Sequence, residues 1–491
     1  MRNLKFLAIS IACVMMLWSC EEKEKEDILD LKDSDSTNLV IDDSTNIVTD
    51  DSTNIVADDS TNFALDNLSP EQQKEVLSTT GVSIAQELST LTDQTAINAA
   101  ASMVKRMSGS QKSATPFMSI ISNVASLSND NNNAYSLLKS IEEEVSSPDT
   151  IISQWNEIKG TTLTYNFITK EFDQTDNTEN SVIINFPASE TATSNTGKLK
   201  ISNISTFKLT EKSIISEEIY DLPASAQMLL TVNSKEEMKF VFSATYKADG
   251  IPTKVNATLT IGTFTLSGAL ENTNSKFSTD VIFKNASKNI ISFGELAEGN
   301  FTEDAISSME NDDEFDKVVT KASAYIAIFD IKLIGKVDVK NMMPEGRAIN
   351  DKYESQYNAL DSKYETKWID FNKKYGGYNV DWSNYQKEYN DIQKAENMER
   401  FYIDKKMNEE MIGVVGKYIE ISLINTAKMK KICEGVFYLV NDEFNYESDM
   451  NIKLKFGDGT YEDIETYFEK GFDNVADEFE KMLTKMQNKI E

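Results

Sequence analysis

The stretch Met238-Lys239-Phe240-Val241-Phe242-Ser243-Ala244-Thr245-Tyr246, followed beyond a polar Lys-Ala-Asp-Gly connection by Val255-Asn256-Ala257-Thr258-Leu259-Thr260-Ile261, decides the fold class. Apolar side chains fall on every second position of both halves, and most positions between them are Lys, Ser, Thr or Asn. A period of two is the pattern of an antiparallel strand with one buried face. Leu163, Tyr165 and Phe167 repeat it upstream, as do Met228, Leu230 and Val232. After Ile261 the phase slips to Phe264 and Leu266, which predicts a bulge at Gly262. A sheet with one apolar face needs a cover, and helical segments on either side of it in sequence can supply one. The expected fold is therefore α+β: an antiparallel β-sheet covered by N- and C-terminal helices.

Working outward, residues 69–154 read as helical. Ser69-Pro70-Glu71-Gln72 carries a capping residue, a proline at the first helical position and a glutamine that closes a capping box. Ile84, Leu88 and Leu91, then Met103, Val104 and Met107, then Phe117, Ile121, Val124 and Leu127 recur at three and four. Residues 155–345 form the sheet region with a flanking helix, the helical pattern resuming near Thr302 and a strand following at Phe329, Ile331, Leu333, Val337 and Val339. Met342-Met343-Pro344-Glu345-Gly346 is expected to break the chain there. Over 346–411 the aromatic residues take over: Tyr353, Tyr357, Leu360, Tyr364, Trp368, Phe371 and Tyr375 step by four, three, four, four, three and four, which is one face of a long helix. Gly376-Gly377 then turns the chain, and Tyr378, Trp382, Tyr385 and Tyr389 suggest a second helix returning against the first. Residues 412–491 close the core with a helix, a strand at Ile452, Leu454 and Phe456, a turn at Gly457-Asp458-Gly459-Thr460, and an amphipathic helix through Tyr467, Phe468, Phe472, Val475, Phe479 and Leu483.

The start of the chain has a different composition. Arg2 and Lys5 precede an apolar run to Leu17, the build of a secretory signal peptide over residues 1–19, too short to span a bilayer. The run ends in Leu17-Trp18-Ser19-Cys20, which resembles a lipobox and implies lipidation of Cys20. Residues 20–68 form an acidic tether. Within it an eight-residue unit starts at Asp42, returns at Asp50 and Asp58, and has a partial copy at Asp35. The unit is too polar to bury a core and fits no solenoid period, so the tether is a solvated spacer of about 35 to 40 Å.

Two short motifs carry resemblances. Glu21-Glu22-Lys23-Glu24-Lys25-Glu26-Asp27 is similar to the acidic export signal of Bacteroidota lipoproteins, which implies the outer membrane and its exterior face. Asp-Ser-Thr, repeated at Ser36, Ser44, Ser52 and Ser60, resembles the O-glycosylation sequon of the same bacteria; a plain spacer and weak Ca2+ binding by the paired aspartates are the other readings of the repeat. More broadly, the stretches TYKADGIPTKVNATLTIG, GKVDVKNMM and ETYFEKGF resemble surface lipoproteins of Bacteroidota over residues 155–345 and 412–491, with the aromatic stretch outside the likeness as an insertion would be. That resemblance implies fold and location and no activity.

Composition excludes several chemistries. With 80 acids against 49 Lys and Arg, and two of those bases inside the signal peptide, the exported chain is strongly acidic, which argues against a nucleic-acid partner. The chain has no histidine, which removes Ser-His-Asp and Cys-His catalysis and nearly every zinc or non-haem iron site. With Cys20 lipidated, Cys433 is the one thiol left, expected to be buried and inert. Ser102-Met103-Val104-Lys105 has the spacing of a lysine-activated serine but lacks a Lys-Thr-Gly partner. The acidic runs 142–144 and 312–314 read as solvated helix ends.

No catalytic residue, metal site or cofactor is assigned. The expected function is a surface-displayed, O-glycosylated lipoprotein with a non-catalytic binding or structural role. It is tied to the membrane by lipid, with a glycan or protein as partner. Trp368, Trp382, Tyr364, Tyr375 and Tyr378 form the candidate ligand platform, against the plainer reading of rings packed between two helices. Three alternatives stay open: a carbohydrate-binding surface lipoprotein, a periplasmic carrier of a hydrophobic ligand, and a carboxylate hydrolase.

Overall fold

The computed structural model describes residues 63–74, 93–108, 155–210, 221–302, 312–377 and 380–467, apart from 157, 249 and 465, together with positions 80, 83, 87, 90, 91 and 305. The protein is mixed α and β, with one large, open, mostly antiparallel sheet. Its first half comprises β1 (Thr161–Tyr165), β2 (Phe172–Asp176), β3 (Ser181–Phe186), β4 (Gly197–Lys208), β5 (Asp221–Val232), β6 (Lys235–Tyr246), β7 (Pro252–Ile261) and β8 (Phe264–Asn272). The second half comprises β9 (Lys276–Asn285), β10 (Lys288–Gly299), β11 (Val319–Ile328), β12 (Ile331–Val337), β13 (Ile419–Asn425), β14 (Lys430–Asp442), β15 (Glu447–Phe456) and β16 (Tyr461–Asp463). From β3 to β16 every strand pairs antiparallel with the next in sequence, and at the other edge β1 lies between β3, to which it is parallel, and β2. Three helices are described along their length: α1 (Thr95–Ser108), α2 (Val339–Tyr375) and α3 (Trp382–Tyr418).

An antiparallel meander alternates its connections between two ends of the sheet. At one end they are two-residue turns that join Val232 to Lys235, Ile261 to Phe264, Asn285 to Lys288 and Ile328 to Ile331. Positive φ at Asn233, Ser234, Gly262, Ala286 and Phe329 matches the primed turns that suit twisted strands. Gly262 therefore makes a tight turn between two strands rather than the bulge its phase slip suggested, because two turn residues shift the alternation as a bulge would. Along this end runs the N-terminal segment. Lys74 pairs with Glu462 in β16, Glu87 accepts from Asn285 and Lys288 at the β9–β10 turn, and Gln94 lies over Gly262. The segment starts as expected: Ser69 N–H donates to Gln72 Oε1 at 3.0 Å and Gln72 N–H to Ser69 Oγ at 3.4 Å, a capping box.

One sheet face collects the apolar positions. Ala96, Ala99, Met103 and Met107 of α1 bury Val182, Ile184, Leu199, Ile201 and Leu230. At the other end Ile331, Leu333, Ile421, Leu423, Cys433, Leu454 and Phe456 pack with Tyr467. Between these clusters the expectation of one fully buried face is not met. Most residues of β7 and β9 are half-buried on both faces, and Leu266 and Phe293 are 43% and 48% exposed. The alternation is real there, but a sequence pattern cannot say how far a cover reaches.

The helical part also differs from expectation. The hairpin spans Val339 to Tyr418 rather than 346–411, and Val339 opens α2 instead of ending a strand. Residues 319–328, within the stretch expected to be helical from Thr302, form β11. Pro344 does not break the chain: it lies inside α2, whose N-cap is Asp338. Helical bonding has already begun at Met342, whose N–H donates to Asp338 O at 3.0 Å, so Pro344 costs the helix one hydrogen bond near its start, and the helix runs on past it.

Two glycines test this account. Replacing Gly262, at φ +59°, with alanine forces a side chain into a left-handed turn beneath Gln94, and we expect a loss of about 1–2 kcal/mol. Gly413 sits in α3 with nothing within 4 Å of the place a methyl group would take, so Gly413→Ala should gain about 0.5–1 kcal/mol. Thermal unfolding of the two variants should move in opposite directions.

Candidate functional site

The helical hairpin replaces a turn. Strands β12 and β13 pair down to Val337 opposite Ile419, and Asp338 N–H donates to Tyr418 O at 3.0 Å, so both helices leave directly from paired strands. They leave at the end of the sheet opposite the two-residue turns. Their base is clasped on both sides. Arg347 makes a two-pronged pair with Asp316 at 2.9 and 2.8 Å, Asn408 Nδ2 donates to Ser448 O at 2.6 Å, and Val339, Met342, Met411 and Val414 join Val318, Val319 and Val337 in a core. Beyond that clasp the hydrogen bonds of the two helices run between or within them, over about 40 Å of helix.

The seam has a period the sequence reading did not extract. Steps of four, three and four sum to eleven, three turns of helix, and each eleven-residue unit of α2 carries a Lys-Tyr pair: Lys352-Tyr353, Lys363-Tyr364 and Lys374-Tyr375. Opposite them on α3 stand Glu410, Glu399 and Glu388, again eleven apart. Lys352 and Tyr353 both bond Glu410, at 2.5 and 2.8 Å; Lys363 and Tyr364 bond Glu399, at 2.5 and 3.0 Å. Lys374 and Tyr375 bond Glu388, at 2.5 and 2.7 Å, and at the base Lys417 and Tyr418 grip Glu345 in the same way, at 2.8 and 2.5 Å. Each lysine also lies over its neighbour's ring, 4.5 to 5.3 Å from the centroid. Eleven residues in three turns is close to the natural helix period, so the pair keeps its seam with little supercoiling.

Magnitudes separate what holds the hairpin from what aligns it. The lysines and glutamates are largely exposed, and such pairs contribute about 0.2–1 kcal/mol each. Burying Leu360, Tyr364, Phe371 or Phe401 contributes about 1.5–3 kcal/mol each. The rings supply the stability and the carboxylates set the register. Lysine beside each of Glu388, Glu399 and Glu410 holds its carboxyl below the ordinary value of 4.5. Burial, then the hydrogen bond to Glu399, pushes Tyr364 up to about 12, and burial with Asp404 pushes Tyr357 up as well.

The predicted platform is therefore divided. Tyr364 is buried and bonded to Glu399, Trp368 is half-buried with Nε1 donating to Glu396 at 2.9 Å, and Tyr375 is held by Glu388. Trp368, Phe371, Tyr375, Tyr385 and Tyr389 form one ring cluster near the far end, with centroids 4.9 to 6.3 Å apart. Trp382 is different: it stands at the tip against Tyr385, 68% exposed, beside an open groove of about 630 Å³ lined by Lys374, Tyr375, Asp381, Lys387 and Glu388. Tyr378, Cys20, Ser36, Ser44, Ser52, Ser60 and the acidic run 142–144 lie outside the described residues.

Other candidate chemistry disperses. Ser102 is buried with Oγ donating to Pro187 O at 2.8 Å, while Lys105 pairs with Glu190 at 2.5 Å, so the serine and lysine do not meet. Cys433 is fully buried, and burial pushes its thiol up. No group of three or more Cys, Asp or Glu able to hold a metal occurs among the described residues. A buried polar cluster that periodicity could not reveal lies on the second face of the sheet. Tyr325 reaches across Gly294 to donate to Asp280, Lys332 lies 4.7 Å over the Tyr325 ring, and burial raises both Asp280 and Tyr325. These residues sit on β9, β11 and β12; Tyr325 and Lys332 meet across one hairpin, and Asp280 comes from 45 residues upstream of Tyr325. Compared with known proteins, the chain matches no family model, no curated protein and no solved structure.

Two outcomes follow from the seam. Removing residues 354–364 together with 399–409, one unit from each helix, should leave a folded hairpin about 16 Å shorter; loss of helicity beyond the deleted residues in circular dichroism would show that the rungs are not interchangeable. The lowered carboxylates contribute stability above 4.5 that is lost as pH falls through their folded values, and the raised phenols contribute stability below 10 that is lost as pH rises through theirs. An absorbance titration should accordingly show a late phenolate class near 12, which Tyr364 shares with the half-buried Tyr246, and Tyr364→Phe should reduce that class by one phenol without abolishing it.

Proposed function

We propose that the chain is a surface-displayed lipoprotein with a non-catalytic binding role. In this reading it is anchored through lipid on Cys20, glycosylated on the tether near Ser36, Ser44, Ser52 and Ser60, and presents the tip of its helical hairpin to a partner outside the cell. The observation that carries the reading is directional. The tether's last residues meet the sheet at Lys431, at the end with the β13–β14 turn, while the hairpin leaves from the opposite end and its most exposed large ring, Trp382, is at its tip. A mast that packs most of its described rings into its seam and carries its most exposed one at its tip is suited to reach and contact rather than to chemistry. The clusters under α1 and Tyr467 support the finer arrangement, in which N- and C-terminal helical segments close the apolar face of the sheet.

A glycan is the second reading, favoured by the exposed Trp382 ring against Tyr385 and by a polar groove lined by its chain neighbour Asp381 with Asn384 and Glu388, since a ring near hydrogen-bonding groups suits stacking against a sugar. The test combines intact-mass and glycopeptide analysis of the native protein with protease treatment of whole cells. Acyl chains on Cys20, sugar in the repeat and release of hairpin peptides from intact cells are expected. An unmodified, protease-protected chain would sink the proposal. If the partner is a polysaccharide, Trp382→Ala should remove the fluorescence change it causes; a change that persists in that variant rules the tip out.

A further inference from the structure

The last copy of the tether repeat, residues 58–65, ends inside the described residues, and its end is docked. Lys431 N–H donates to Ala64 O at 3.0 Å and Asp66 N–H donates to Lys431 O at 2.7 Å, closing a parallel bridge between Leu65 and Lys431. Phe63 packs on Tyr325, Ile334 and Ile424, with Tyr325 held in place by Asp280. Gly457 closes the slot: a side chain there would meet Asp66 O at 1.9 Å and Leu65 Cβ at 3.4 Å, so the backbone comes this close only past glycine.

Every earlier copy repeats what the slot contacts. Phe63-Ala64-Leu65-Asp66 aligns with Ile55-Val56-Ala57-Asp58, Ile47-Val48-Thr49-Asp50 and Leu39-Val40-Ile41-Asp42. Each begins with a large apolar residue where Phe63 meets Tyr325, Ile334 and Ile424, and ends on an aspartate at the position of Asp66, whose N–H meets Lys431 O. The two backbone bonds take any residue but proline, and the repeats contain none. The period of eight is also even, so a shift by one whole copy returns each side chain to the face its counterpart occupied. The next anchors, the Ser69–Gln72 capping box and the Lys74–Glu462 pair, need not break, because a shift only enlarges the loop before Ser69, and closure cost grows slowly with loop length.

We propose that this slot is a receptor for the repeat as a class: the chain's own copies at 55–58, 47–50 and 39–42 exchange into it, and the free length of the tether is set in steps of eight residues. Linkage in one chain holds the copies at high effective concentration, so exchange needs no partner. The segment ending at Asp66 is favoured by its phenylalanine ring, where the others carry Ile or Leu, and by the shortest loop, and modification of Ser44, Ser52 and Ser60, each three residues before a docking segment, is placed to bias which one docks.

The experiment is hydrogen exchange on the mature full-length chain, read at the Lys431 amide. In Phe63→Ser the amide is expected to stay protected, with new protection at the Asp58 amide. With serine also at 39, 47 and 55 protection should be lost, and adding a synthetic peptide of residues 50–58 should restore it. Deleting residues 58–65 places Ile55-Val56-Ala57 directly before Asp66 and should leave Lys431 protected. Loss of protection in Phe63→Ser or in the deletion, with the amides of β11 and β12 still protected, would overturn the proposal. So would protection that depends on protein concentration, which would mean exchange between chains.

Discussion

Strands β12 and β13 keep pairing up to Val337 and Ile419 as though a tight turn joined them, and the whole molecule is arranged around that pairing. Because backbone N–H and C=O groups must find partners wherever water is excluded, a meander that pairs each strand with the next tolerates insertions only at its connections. The hairpin occupies one such connection without interrupting the ladder. The alternation of the meander then decides its direction. Connections before even-numbered strands, from β6 to β14, fall at the end where the N-terminal segment runs, and the hairpin falls at the other.

Stability within this frame is unevenly distributed. At its two ends the sheet has conventional cores, one under α1 and one around Cys433, Phe456 and Tyr467. Between them a smaller core of Leu91, Phe264 and Ile290 closes the end with the two-residue turns, where the Phe264 and Phe283 rings stack with centroids 5.7 Å apart, and the rest of those strands rely on long ladders and cross-strand contacts. An open sheet also has two edges that invite pairing with other chains. Here one is β2, five residues long with exposed acids, and the other is β16, only three residues long. Short and charged edges limit sheet-to-sheet association.

The hairpin shows how hydrophobic and polar terms divide their work. Its rings are the large contribution, but rings alone tolerate several registers. Three Lys-Tyr pairs meeting three glutamates at matched intervals of eleven leave one alignment in which every phenol of those pairs has an acceptor. Individually weak exposed pairs therefore matter here for specificity rather than for strength.

Much of this was legible in the residues. Alternation at 228–261 identified strands, the Ser69-Pro70-Glu71-Gln72 cap is present as read, the Gly457–Thr460 turn is in place, and the aromatic steps from Tyr353 to Tyr375 identified a long helix. These are local signals, set by backbone sterics and side-chain period, and a sequence determines them directly. Tertiary structure decided the rest. It determined that Gly262 turns rather than bulges, that Pro344 is tolerated inside a helix, and that the middle of the sheet is half-open. It sent Tyr364, Trp368 and Tyr375 of the predicted platform into a seam while Trp382 stayed outside, and it gathered Asp280, Tyr325 and Lys332 from three strands. Each of those outcomes depends on which surfaces meet across the sheet or between helices, and residue spacing along one chain carries no information about that until the chain has folded.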